Sequence, residues 1–231
     1  MSDDTPRRLQ SANPALNIRA VTAPEFSRYG QVLTRFDPAE MIARAKAILP
    51  RSEAVVYEPS VEALEEPCAF NAAMYREVYG EMPLQVGWCY GQNLRLAGLE
   101  YHKGNEVNVC LTDVVLLVGH VDDIVATAAG FSYDTSQVDA FYAPAGTVVE
   151  FPAWNLHFAP IHVRAGGSFA TLVYLPQGTN EALAHHAPPL GENALLFAVN
   201  KWLLVHPGAT DLVEQGAYVG LAGDDIVVNP V

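Results

Sequence analysis

Sulfur is scarce in this chain of 231 residues. Its three cysteines, Cys68, Cys89 and Cys110, do not fall at the short spacing of a thiolate metal site, and their odd number leaves at least one outside any disulfide. A disulfide framework and a cysteine-ligated zinc module are therefore excluded. Cys110 sits in an apolar run and reads as a buried thiol. Positive charge is also in short supply, with 13 Lys and Arg against 26 Asp and Glu and a formal net charge of −13. A field of that sign repels phosphate backbones and anionic lipid, so neither nucleic acid nor a membrane surface is expected as a partner. A few local cationic contacts to a sugar acid or a phosphate remain compatible with it. No apolar run reaches membrane-spanning length, and Met1-Ser2-Asp3-Asp4-Thr5-Pro6-Arg7-Arg8 carries no hydrophobic signal region. The expectation is a soluble, cytoplasmic protein whose partner is a small molecule. Internal repeats and low-complexity linkers are missing too.

What is present is apolar residue in quantity, half of the chain, enough for one large core. Residues 1–14 read as a flexible polar tail and 15–231 as a single domain. Asp37-Pro38 opens a helix, with an N-cap followed by proline at the first helical position. Met41, Ile42, Ala45 and Ile48-Leu49 then recur at helical spacing, and a second helix is expected over Phe70–Tyr79, ended by Gly80. These place a helical cap at about 37–80. From Leu84 the texture changes to short runs of Val, Leu, Phe and Tyr between turn residues, among them Leu84–Tyr90, Val107–Val118, Asp139–Ala143, Thr147–Phe151, His157–Val163 and Phe169–Leu175. Short strands at near-regular spacing indicate a mainly β chain, a barrel or sandwich over about 84–231. His185-His186-Ala187-Pro188-Pro189 reads as a long loop with a solvated histidine pair.

The densest chemistry lies in Leu99-Glu100-Tyr101-His102-Lys103-Gly104-Asn105-Glu106-Val107-Asn108. A strand sends residues i and i+2 to one face, so Glu100 and His102 point together. Gly104-Asn105 is a turn signal that brings Glu106 back toward them. Two carboxylates and an imidazole are costly to bury unpaired, and a divalent metal removes that cost. Mixed His and carboxylate ligation suits Mn²⁺, Fe²⁺, Zn²⁺ or Ni²⁺. Asn108 shares the alternation of Glu106 and is expected to face the same cavity, whereas Lys103 should point outward.

A second cluster runs from Tyr142 to His157, with a turn at Pro144-Ala145-Gly146, Glu150 in the strand that follows, and His157 after the loop at Pro152. Trp154 lies close enough to His157 to wall a pocket. A metal-bound substrate carbonyl needs a separate group to move its proton, and Glu150 is the candidate catalytic base.

Glu100-x-His102-x-x-x-Glu106 resembles the first motif of the cupin superfamily, His-x-His followed by Glu, with Glu replacing the first His. Pro144-x-Gly146 and His157 resemble the second motif, with His157 later than the standard spacing. Thr22-Ala23-Pro24-Glu25-Phe26 and Tyr29-Gly30-Gln31-Val32-Leu33 are similar to the opening of ureidoglycolate-lyase-type cupins. Glu100-Tyr101-His102, Thr112–Leu117, Pro176–Asn180 and Asn200-Lys201-Trp202 with His206-Pro207 resemble an uncharacterised bacterial cupin family. The resemblance implies a jelly-roll β-barrel, a metal held by Glu100, His102, Glu106 and His157, a homodimer, and Lys201 as an anchor for a substrate carboxylate or phosphate. The function expected from motif and resemblance together is a metal-dependent enzyme on a small sugar or sugar acid, working by isomerisation or epimerisation through a metal-stabilised enediolate. The alternatives are a ureidoglycolate-type lyase, a non-catalytic sugar-binding cupin and a metal-dependent dioxygenase.

Overall fold

The computed structural model describes residues 4–128, 130–185 and 187–231. Residues 1–3 of the expected tail and His186 of the expected histidine pair lie outside them. Among the described residues no helix is long and apolar enough to cross a membrane.

Alternation in the strands builds the frame. In the strand Glu106–Cys110, Val107 and Val109 point to one side and Glu106, Asn108 and Cys110 to the other. This strand is central in a six-stranded sheet whose order is Gln31–Val32, Val148–Phe151, Glu106–Cys110, Phe169–Pro176, Leu84–Gly91, Val56–Glu58. A second sheet runs Ile18–Ala20, Asp139–Ala143, Val114–His120, Asn155–Leu156, with Ile161–His162 also paired to Val114–His120. The sheets face one another across a core of Cys110, Val149, Phe169 and Val173 from the first and Val114, Leu116, Val118 and Phe141 from the second. Among the described residues no strand pairing closes the two sheets into a ring, so the expected barrel is a pair of open, facing sheets.

Each outer face is covered. Val107, Val109 and Leu172 pack under helices that supply Met41, Ala45, Leu64 and Phe70. The first of these helices, Ala39–Ile48, follows Asp37-Pro38, and Asp37 Oδ1 accepts from the Ala39 amide at 3.0 Å, as a capping side chain does. The expected Phe70–Tyr79 helix is an α-helical turn, Ala69–Ala73, that widens into a π-helical one, Met74–Val78. Over the second sheet, Val115, Leu117 and Tyr142 pack against Leu99, Tyr101, Trp202 and Leu204. The last four belong to an antiparallel pair, Gly98–Tyr101 with Lys201–Val205.

Two other expectations need correction. Val107–Val118 is not one strand but two, separated at Leu111-Thr112-Asp113, where the chain leaves one sheet for the other. Asp113 Oδ1 accepts from the Ala145 amide at 2.9 Å and fastens that crossing to the turn at Pro144-Ala145-Gly146. Gly146 supplies the positive φ, +90°, that this turn requires. The tail, in turn, is not loose. Thr5–Ala12 is a helix with Leu9 fully buried in the core, and Asn13 exchanges hydrogen bonds with the Asn229 backbone at 2.7 and 3.0 Å. One buried apolar residue and the side-chain amides of Gln10 and Asn13 dock it. Truncation of Leu9 to Ala should therefore cost about 2–5 kcal/mol of stability, measured by urea unfolding; a change under about 0.5 kcal/mol, the range of neutral surface substitutions, would show the helix to be undocked.

Candidate metal centre

Leu99 and Tyr101 enter the core, so the intervening Glu100 is turned to the opposite face of its strand. Its cross-strand partner is Leu203, which puts Lys201, two residues away on the same face, diagonally beside it. Lys201 Nζ forms an ion pair with Glu100 Oε2, without the angles of a hydrogen bond. Lys201 is thus committed to Glu100.

His102 follows directly after this strand. Its Nδ1 lies 2.7 Å from the carbonyl oxygen of Asn200, a residue held at positive φ, +54°. A carbonyl only accepts, so Nδ1 carries the proton and the Nε2 lone pair faces inward. His157 is oriented in the same manner. Its Nδ1 is 2.9 Å from Asn155 Oδ1, while Asn155 Nδ2 donates to the Tyr29 carbonyl at 2.9 Å, which fixes the amide orientation and leaves the oxygen as acceptor. The His157 ring stacks on Phe151 at 4.7 Å between centroids. Paired backbone hydrogen bonds join the two halves, Glu100 N to His157 O at 2.7 Å and His157 N to Glu100 O at 3.0 Å.

Between the imidazoles stands Glu106. Asn108 Nδ2 donates to its Oε1 at 2.6 Å, and its Oε2 is 3.3 Å from His102 Nε2 and 3.2 Å from His157 Nε2. Glu100 Oε1 is 3.7 Å from His102 Nε2. Glu100, His102 and His157 each offer a ligand atom within 4.8 Å of the others. All four side chains are buried, and neither Nε2 has a hydrogen-bond partner. Ligands bonded at about 2.1 Å to a shared cation sit about 3 Å apart when adjacent, close to the separation of Glu106 Oε2 from each Nε2. Two outward Nδ1–H donors anchored on carbonyl-type oxygens, with two inward lone pairs, are the arrangement that fixes imidazoles for metal binding. The donors present, nitrogen and carboxylate oxygen, fit a divalent first-row cation. Cys89 borders the same space, but burial, then Glu100 and Glu106, push its thiol pKa well up and keep it protonated.

Electrostatics in the metal-stripped protein follow from these neighbours. Burial alone would discharge His102, but the nearby carboxylates of Glu100 and Glu106 outweigh it and raise its pKa to about 9. Burial works against ionised Glu100 as well, yet Lys201 and then the imidazoles hold it down to about 2, and Glu106 is lowered in the same way by the two histidines.

The remaining expected site residues are placed differently. Asn108 does face the cavity. Glu150 does not. In the pairing of Val148–Phe151 with Glu106–Cys110, Phe151 is opposite Glu106 and Glu150 is opposite Val107, so Glu150 occupies the far face of the sheet. There Gln31 and Asn105 donate to its two oxygens at 2.5 and 2.6 Å. Its assignment as base is withdrawn on that ground. Trp154 is half exposed, with its indole donating to the Arg28 carbonyl at 3.3 Å, and does not border the cavity. Lys103 points outward to Glu192, as expected from the alternation. Sequence reasoning missed Asn155 and Asn200, which orient the imidazoles, and Tyr57, which borders the cavity. Asn155-x-His157 repeats the i, i+2 relation of Glu100-x-His102 and could have been read; the carbonyl of Asn200 has no such signal.

The family described as Domain of unknown function (DUF4867) matches residues 18–226, and the chain belongs to it. No curated protein matches. Among solved structures, the chain is similar to Bacillus subtilis oxalate decarboxylase, from a study of its Mn(II) centres, at 11% identity and a TM-score of 0.32 over 56% of this chain and 27% of that one. A structure from a study of DMSP lyases is similar at 16% identity and a TM-score of 0.26, over 39% of this chain and 37% of that one. The chain thus spans little more than a quarter of the oxalate decarboxylase chain.

Two measurements check the site. Asn155→Ala should weaken divalent-metal affinity about 10- to 100-fold, the usual effect of losing a group that orients a ligand, by competition with a chelating dye. Second, a raised histidine pKa contributes stability that is complete below its ordinary value of 6.5 and lost as pH rises through about 9. The metal-stripped protein should therefore lose melting temperature between pH 7 and 10, and His102→Gln should flatten that decline. An unchanged slope in the variant would remove His102 as its source.

Proposed function

We propose that this chain is a divalent-metal-dependent enzyme of the cupin type, its facing sheets a jelly roll with helices packed on one side. The metal would be held by His102, His157 and Glu106, with Glu100 as the fourth and most replaceable ligand. The observation that carries this reading is the pair of imidazoles whose Nδ1 protons are both spent on fixed oxygens, leaving both Nε2 lone pairs at Glu106 Oε2. A bound divalent ion would supply Lewis-acid polarisation of a carbonyl or hydroxyl oxygen. The protein contributes the rest. Lys201 neutralises Glu100, Asn108 holds Glu106 in place, and Leu116, Phe151, Val173 and Phe158 give the space apolar walls.

The reaction class that suits this set is isomerisation or epimerisation of a small oxygenated metabolite, a sugar or a sugar acid. With Glu150 on the other face, the carboxylates that border the cavity are Glu100 and Glu106; Glu106 stands between the two imidazoles, which leaves Glu100, paired through Oε2 with Lys201, to meet a substrate proton. Glu100 is therefore a second candidate for the base as well as a ligand.

Elemental analysis of the purified protein, followed by turnover screening of sugars and sugar acids with the metal found, tests the reading. One divalent ion per chain is expected, with at least a tenfold loss of metal affinity in His102→Ala and His157→Ala. Glu100→Gln should abolish turnover, whereas Glu150→Gln should retain both metal and turnover. A His102→Ala variant with full metal and full activity would sink the proposal, and tight metal and sugar binding with no turnover in any screen would mark a non-catalytic binding protein instead.

A further inference from the structure

The interior of the metal centre constrains its ligand in size, charge and one directional contact. The space between the sheets is about 40 Å³. A buried water takes roughly 10–15 Å³ on the same measure, so about three waters fill it. Strands of the two facing sheets supply most of its wall, apolar at Leu116, Phe151 and Val173 and polar at Asn108 and Thr171, and Glu100 and the segment from His157 to Pro160 complete it. A hexose cannot be wholly enclosed in such a space.

Charge narrows the class further. Glu100 and Glu106 bring two negative charges and Lys201 returns one positive. The two histidines enter as neutral ligands. A divalent ion then leaves the buried centre one positive charge in excess, and an uncompensated charge in a low-dielectric interior is strongly unfavourable. A monoanion removes the excess; a neutral sugar does not.

The directional contact is Tyr57. Its strand, Val56–Glu58, pairs with Leu84–Gly91 so that Tyr57 is opposite Cys89, and both face the cavity. The Tyr57 hydroxyl is buried with the Asn180 amide beside its oxygen as a donor, and among the described residues no acceptor takes its O–H. A buried phenol is ordinarily paired, so this O–H is a donor awaiting an acceptor inside the cavity.

We infer that the metal centre takes a small monocarboxylate of two to four carbons, with one end on the metal and an oxygen accepting from the Tyr57 hydroxyl. The inference rests on the metal-centre reading above and narrows the substrate class of that site from sugars and sugar acids to short acids. Tyr57 is a specificity-determining residue in this scheme.

Calorimetric titration of the Mn²⁺-loaded protein tests it, with acetate, glycolate and lactate against glycolamide, glycerol and glucose, and gluconate as an acid too large to enter. Metal content is measured on the same samples. The short acids should bind at least tenfold more tightly than the neutral compounds and than gluconate. Tyr57→Phe should weaken the short acids about tenfold while retaining one ion per chain and an unchanged melting temperature. Binding of glucose or glycerol as tight as that of glycolate would overturn the inference and leave the metal centre standing, as would full acid affinity in Tyr57→Phe. Failure to take up a divalent ion would overturn both.

Discussion

A carboxylate buried between two imidazoles must have its charge compensated, and the arrangement of this protein's interior follows from how that is done for Glu106. Its Oε1 is already taken by Asn108, so compensation falls on Oε2, where the two Nε2 atoms stand. Protons on the histidines can provide it, as the raised pKa of His102 shows. A cation can do the same. Proton and metal are therefore alternatives for one position, and acid competes directly with the metal. Glu100 is compensated differently, by the permanent charge of Lys201 from a strand about a hundred residues away in sequence. One acidic residue has a resident counter-ion and the other an exchangeable one.

That difference places demands on the surroundings. An exchangeable cation site works only if its ligands stay in position when the cation leaves. Here the positions are held by groups that do not change with occupancy: the carbonyl of Asn200, the amide of Asn155 anchored on Tyr29, and the Phe151 ring under His157. Each side chain sits at a strand or just beyond one, where two sheets and the Lys201–Val205 strand meet. Covered outer faces on both sides leave the sheets little freedom to separate.

The strands were largely legible because alternation is local: Asp139–Ala143 runs as its pattern indicates, and Glu100, His102 and Glu106 converge as their spacing suggests. What depends on pairing register was not. Glu150 and Phe151 are adjacent, and only the register against Glu106 decides which of them faces the cavity. The sequence offered Glu150 because it is acidic, and geometry selected Phe151. Lys201 was placed at the site by resemblance, but its partner is a carboxylate of the protein, a pairing set by the antiparallel match with Gly98–Tyr101. Leu9 was overlooked because a single apolar residue has no period, while docking needs only a complementary hollow. Tyr57 was hidden for a similar reason, since the short run Ala54-Val55-Val56-Tyr57 before Glu58-Pro59 shows no sign of the cavity that Tyr57 borders.

The double backbone clasp between Glu100 and His157 has an evolutionary consequence. Main-chain hydrogen bonds are indifferent to side-chain identity, so the two halves of the site remain in register with any residue but proline at either position. Ligand identity at Glu100 can then drift, from carboxylate to imidazole to amide, without the scaffold having to be reinvented at each step. A lineage built on such a clasp can change its metal, and with it its chemistry, by single substitutions while the fold stays in place.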